Sequence, residues 1–98
     1  MFFGKDINAY ISEYKETPCA MLIDVREPKE YNVGHIPGAR NIPLSQIDIV
    51  SLEKKSPIFV YCLRGARSRK AVRILKNNGY RNAVSIGGIA KYKGPIER

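Results

Sequence analysis

Apolar positions follow two different periods along this chain. Ile7, Tyr10, Ile11 and Tyr14 recur at i, i+3, i+4 and i+7 behind Asp6, which predicts an amphipathic helix N-capped by the Asp6 carboxylate, with both tyrosines in the core. The run Ala20-Met21-Leu22-Ile23-Asp24-Val25 is continuous instead, as in a strand covered on both faces. Ile58-Phe59-Val60-Tyr61 is a second such run, rich in β-branched and aromatic residues, and Ala83-Val84-Ser85-Ile86 is a third. From Ser68 the period becomes helical again. Ala71, Val72 and Leu75 share one face, Arg69, Arg73 and Lys76 another, and Gly79 closes the helix.

The segments between these elements carry turn signals. Pro28 suits the first turn of a short helix that Gly34 ends, and His35-Ile36-Pro37-Gly38-Ala39 reads as a bend. Arg40 to Leu44 predicts a short strand or extended link, and Ser45 caps a further helix bearing Ile47, Ile49, Val50 and Leu52. Glu53 to Pro57 is a polar break, Gly87-Gly88 a close passage near the end of the last strand, and residues 93–98 a loosely held tail. Strands alternating with helices predict an α/β fold: a central parallel sheet flanked by helices on both faces, joined by right-handed crossovers. No repeat, linker or low-complexity tract interrupts the pattern, so residues 1–98 are read as a single domain.

The candidate chemistry lies where Ile58-Phe59-Val60-Tyr61 stops at Cys62 and Leu63-Arg64-Gly65-Ala66-Arg67-Ser68 leads into a helix. A turn that tight needs a residue free to take positive φ, which Gly65 supplies. Its amides then point inward at a helix N-terminus with Arg64 and Arg67 nearby, a combination suited to an anion. A cysteine there is expected to be ionised, below the value of about 8.5 of a free thiol. The bland alternative is that Cys62 is a small buried apolar residue.

Charge and cysteine usage narrow the picture further. The formal net charge is +8 with a pI near 9.7, which draws anionic partners, nucleic acid among them. Direct nucleic-acid recognition is disfavoured, because aromatic residues are few and sit at core-like positions, and no RNA-binding motif appears. The cations Arg64, Arg67, Arg69, Lys70 and Arg73 cluster around the loop, for anion steering first and as a partner patch second. No apolar window is long enough to span a bilayer, and Met1-Phe2-Phe3-Gly4-Lys5 is too brief for a signal-peptide core. Two cysteines make no disulfide framework and a reactive thiol works best in a reducing compartment, so a cytoplasmic location is expected. Cys19 is assigned to packing, with a resolving role toward Cys62 as the lesser option. Two cysteines and one widely spaced histidine do not suggest a metal site.

Three segments in this order, Leu22-Ile23-Asp24-Val25-Arg26-Glu27, Gly34-His35-Ile36-Pro37-Gly38-Ala39 and Cys62-Leu63-Arg64-Gly65-Ala66-Arg67-Ser68, resemble those of single-domain rhodaneses. The resemblance runs from about Ile7 to Lys93 and implies a three-layer rhodanese-like fold and a cysteine persulfide cycle. It implies Cys62 as the catalytic nucleophile and Leu63, Arg64, Gly65, Ala66, Arg67 and Ser68 as the substrate-binding loop. The donor would be a small sulfur-bearing anion such as thiosulfate, the acceptor a thiophile such as cyanide or a thiol, with no cofactor or metal required. Asp24 and Arg26, at the sheet edge where open α/β sheets place their sites, are read as structural and as supports of the cysteine loop. His35 is read as part of a fold-defining turn. Rhodanese double glycines are usually followed by an aromatic residue, a place Tyr92 would take here.

Leu63 stands where thiosulfate-using relatives often carry a basic residue, with Arg64 beside it, so a protein persulfide remains open as donor. The alternative function is a sulfur-carrier or protein-docking module in a thiolation pathway. A cysteine phosphatase or arsenate reductase of the related fold would need arginine at position 68, where this chain has Ser68.

Overall fold

The computed structural model describes residues 4–98; the reading of Met1 to Phe3 as part of too brief a leader lies outside them. Four strands, β1 (Met21–Asp24), β2 (Arg40–Asn41), β3 (Ile58–Cys62) and β4 (Ala83–Gly88), form one parallel sheet in the order β2-β1-β3-β4. Helix α1 (Ile7–Glu16) covers one face. Helix α3 (Ala66–Asn77) and a 3-10 turn (Leu44–Ile49) cover the other. A short helix α2 (Pro28–Val33) follows β1 and packs Tyr31 against the α1 side.

The two cores follow from strand periodicity. In β3, Phe59 and Tyr61 face the α1 layer with Ile7, Ile11 and Leu22, while Ile58, Val60 and Cys62 face the α3 layer with Ile23, Ala71 and Leu75. Burying each large aliphatic side chain contributes roughly 1.5–3 kcal/mol, so the platform under the C-terminal strand ends is firm. The same alternation leaves Cys62 on the side where α3 begins four residues later. Opposite it, β4 fits one extra residue between the pairs Val60–Ser85 and Cys62–Gly88. Gly87 absorbs the irregularity at φ 106°.

Several local expectations change. The helix expected from Ser68 starts at Ala66, because Gly65 at φ 109° already turns the chain into it. The helix expected behind Ser45 is a 3-10 turn that starts after Pro43 without a side-chain cap. Only Ile47 is buried in it, and Ile49, off the packed face, is 84% exposed. Cys19 does not pack either; it is exposed, at φ 61°, in the turn between α1 and β1. The tail is tied down at several points: Glu97 and His35 exchange two backbone hydrogen bonds of 2.8 Å, the Lys93 N–H donates to Asn8 Oδ1 at 2.8 Å, and Arg98 Nε donates to the Val33 carbonyl at 3.0 Å. The last strand runs two residues past Ile86, to Gly88. Tyr10 and Tyr14 are only half-buried, each set edge-on to Phe59. No helix among the described residues is long and apolar enough to cross a membrane.

Candidate active site

Cys62 ends β3 at the carboxyl edge of the sheet, and the next six residues curl around its sulfur. Sγ accepts hydrogen bonds from the Gly65 N–H at 3.0 Å and the Ser68 N–H at 3.4 Å. These amides belong to the start of α3, whose dipole adds partial positive charge at the sulfur. Burial pushes the Cys62 thiol up, but the Ser68 amide and hydroxyl, with the Gly65 and Arg64 amides, outweigh it and hold the thiol below its ordinary value of 9.0. The arrangement favours a thiolate over the thiol.

The loop is clamped to β4. Fully buried Ser68 donates its hydroxyl to the Gly65 carbonyl at 3.0 Å and lies 2.7 Å from the Ser85 hydroxyl. The Ala90 N–H donates to the Leu63 carbonyl at 3.1 Å. A Cβ on Gly88 would stand 2.0 Å from that carbonyl oxygen, so only glycine lets β4 pass this close. Leu63 is half-buried, and Arg64 and Ala66 are exposed.

Arg67 does not stand free beside the sulfur. Its guanidinium grips Glu30 of α2 with two bonds, 2.7 and 3.1 Å, at the rim of the loop. Those bonds hold the Glu30 carboxyl down to about 2, against partial burial, with help from the Glu27 amide and the Arg67 and Arg26 charges. Asp24 and Arg26 form a buried pair: Asp24 Oδ2 takes the Arg26 Nη2 donor at 2.7 Å, and the same Nη2 donates to the Gly34 carbonyl at 2.7 Å. Their hydrogen bonds therefore brace the turn at Gly34, not the cysteine loop directly. His35 belongs to the same turn, stacked 3.8 Å on Tyr31 with Nδ1 3.0 Å from the Tyr31 carbonyl oxygen.

The structure thus brings Cys62 and residues 63–68 together and leaves Asp24, Arg26 and His35 in a supporting turn. Glu30 and Ser85 escaped the sequence. Glu30 looks like an ordinary first-turn acid of α2, whereas Ser85, a polar residue inside an apolar strand, carried a faint signal. Among the described residues no cluster of three or more His, Cys, Asp or Glu side chains has the grouping a metal ion takes.

A family model described as the rhodanese-like domain matches residues 8–94. The chain belongs to the rhodanese-like domain family. Among relatives, it is 44% identical to the uncharacterized protein YqhL of Bacillus subtilis over 81 residues, 80% of this chain and 64% of that one. It is 33% identical over 97 residues to the adenylyltransferase and sulfurtransferase uba4 of Ogataea parapolymorpha, 95% of this chain and 25% of that one. The chain therefore spans less than two thirds of the length of either relative. A rhodanese-related protein from Thermoplasma volcanium superposes with a TM-score of 0.79 at 33% identity, covering 96% of this chain and 98% of that one. This rhodanese-like chain shares with that neighbour both the fold and its near-complete extent.

Proposed function

We propose that the protein is a sulfurtransferase that carries sulfur as a persulfide on Cys62. The observation that carries this is a sulfur at the focus of the Gly65 and Ser68 amides, held below its ordinary pKa at the start of α3. Thiolate is the nucleophilic form, and the same amides suit the anionic persulfide that replaces it. Membership of the rhodanese-like family and the sulfurtransferase among its relatives support sulfur transfer in general.

With thiosulfate as donor, the Cys62 thiolate attacks the outer sulfur. The S–S bond of the donor breaks, sulfite leaves with the electron pair, and Cys62 keeps the outer sulfur as a persulfide. A second nucleophile, cyanide or a thiol, then attacks the terminal sulfur, and Cys62 departs as thiolate. Splitting the transfer in two is covalent catalysis. Arg64, exposed on the loop, is the cation free to meet the donor's sulfonate, because Arg67 is engaged by Glu30. A buried thiolate that must stay reduced fits a reducing compartment such as the cytoplasm.

Initial rates measured at varied thiosulfate and cyanide test this. Parallel double-reciprocal lines that vanish with Cys62→Ser are expected. Intersecting lines, or activity surviving in the variant, would overturn a Cys62 persulfide intermediate.

A further inference from the structure

A cleft of about 940 Å³ opens beside the cysteine loop, at the upper end of the roughly 300–1,000 Å³ typical of small-molecule sites and far larger than thiosulfate requires. Leu63 and Arg64 form one wall, but Cys62 is not in its lining, so the cleft adjoins the chemistry without containing it.

Its charge is one-sided. Lys5, Arg64, Arg69 and Lys91 line it against a single acid, Asp6, whose carboxylate already accepts the Ala9 N–H as the cap of α1. Lys5 is paired with Glu13. Arg64, Arg69 and Lys91 make no ion pair among the described residues. With Arg67 neutralised by Glu30 outside the cleft, the loop cation left without an ion pair among the described residues is Arg64, on the cleft wall.

The cleft is also part apolar, through Ile7, Tyr10 and Ala90. Among the described residues Tyr10 is its one aromatic, and it is half-buried with neighbours already set against its ring. Phe59 meets it edge-on at 6.5 Å and the Lys5 ammonium sits 5.2 Å from its ring centre. Single-stranded nucleic acid binds by stacking successive bases on several aromatic side chains. A polypeptide with carboxylates and apolar side chains matches what the cleft presents.

We propose that this cleft docks an acidic, partly apolar segment of a protein that accepts sulfur from Cys62. The proposal rests on the sulfurtransferase function above. The docked partner's cysteine thiolate attacks the terminal sulfur of the Cys62 persulfide, the bond to Cys62 Sγ breaks, and Cys62 leaves as thiolate, with no net oxidation.

The test uses a fluorescein-labelled peptide of alternating glutamate and leucine, a labelled oligouridine RNA, the full chain, and the variant Arg69→Glu with Lys91→Glu, all followed by anisotropy. Both substituted residues are exposed, and circular dichroism reports whether the variant is folded. The wild type is expected to bind the peptide, with affinity falling about tenfold or more in the variant and with added salt. Absent peptide binding, equal binding by the folded variant, or tighter binding of the RNA that the variant loses would each overturn the proposal. Thiosulfate-driven persulfidation of Cys62, read by mass in the wild type, is expected to add one sulfur atom. If the wild type bound the peptide but gained no sulfur, thiosulfate would fall as the donor while the docking surface stood.

Discussion

Glu30 and Arg67, thirty-seven residues apart in the chain, meet in a two-pronged ion pair at the rim of the cysteine loop. The pair withdraws one loop cation from the path of an anionic donor. Glu30→Gln is therefore expected to release Arg67 and lower the KM for thiosulfate severalfold with kcat within about twofold of wild type. The stability cost should stay below about 1 kcal/mol, as for partly exposed pairs. A KM that is unchanged or higher would show that Arg67 serves the loop only while held by Glu30. Because the Glu30 pKa is depressed to about 2, the pair's contribution is full above the ordinary value of 4.5 and is lost as pH falls through 2.

Cys62 should titrate below 9.0, and the rate of iodoacetamide alkylation at Cys62, followed by peptide mass, gives the inflection. Ser68→Ala keeps the amide but removes a hydroxyl that lowers the pKa, so its inflection should move up. Between the folded and unfolded values the folded protein binds fewer protons. Wild-type stability relative to Cys62→Ser should then rise with pH across that window and fall as pH drops through the folded value. An inflection at or above 9.0 in the wild type would mean that burial, not the amide cradle, prevails.

Gly88→Ala would place a methyl group 2.0 Å from the Leu63 carbonyl oxygen, with backbone on both sides of the clash. Overpacking of this kind costs about 1–3 kcal/mol, and here the strain falls on the loop that shapes the Cys62 site. Urea denaturation should report that loss, together with slowed persulfidation. An unperturbed urea midpoint would mean that loop and strand separate easily.

Asp24→Asn removes the charge that compensates buried Arg26. Breaking a buried pair from one side costs about 3–5 kcal/mol, a large share of the 5–15 kcal/mol usual for a small domain. Since the pair braces Gly34, the folded fraction should still accept sulfur on Cys62 well below the melting temperature. A folded variant unable to take sulfur would assign Asp24 a direct part in the loop's function.

Much of this was legible along the chain because it is local. The period of two in β3 puts Cys62 on the α3 side, and Gly65, four residues before Arg69, marks the turn. Motif order located the loop, and the continuous apolar runs revealed a sheet covered twice. What stayed hidden depends on contacts between distant segments. Nothing near Glu30 points to Arg67, nothing in the tail points from Glu97 to His35, and Ser85 meets Ser68 only once β4 lies beside β3. Ile49 misled because apolar residues at 47, 49, 50 and 52 resemble a helical face, while the tighter turn after Pro43 leaves it outside.

Intact mass spectrometry before and after thiosulfate, without reductant and beside Cys62→Ser, tests the persulfide most directly. The wild type should gain the mass of one sulfur atom, removable by cyanide or dithiothreitol, and the variant should gain none. No gain in a wild type whose Cys62 still alkylates, or an equal gain in the variant through Cys19, would contradict a thiosulfate-loaded persulfide on Cys62.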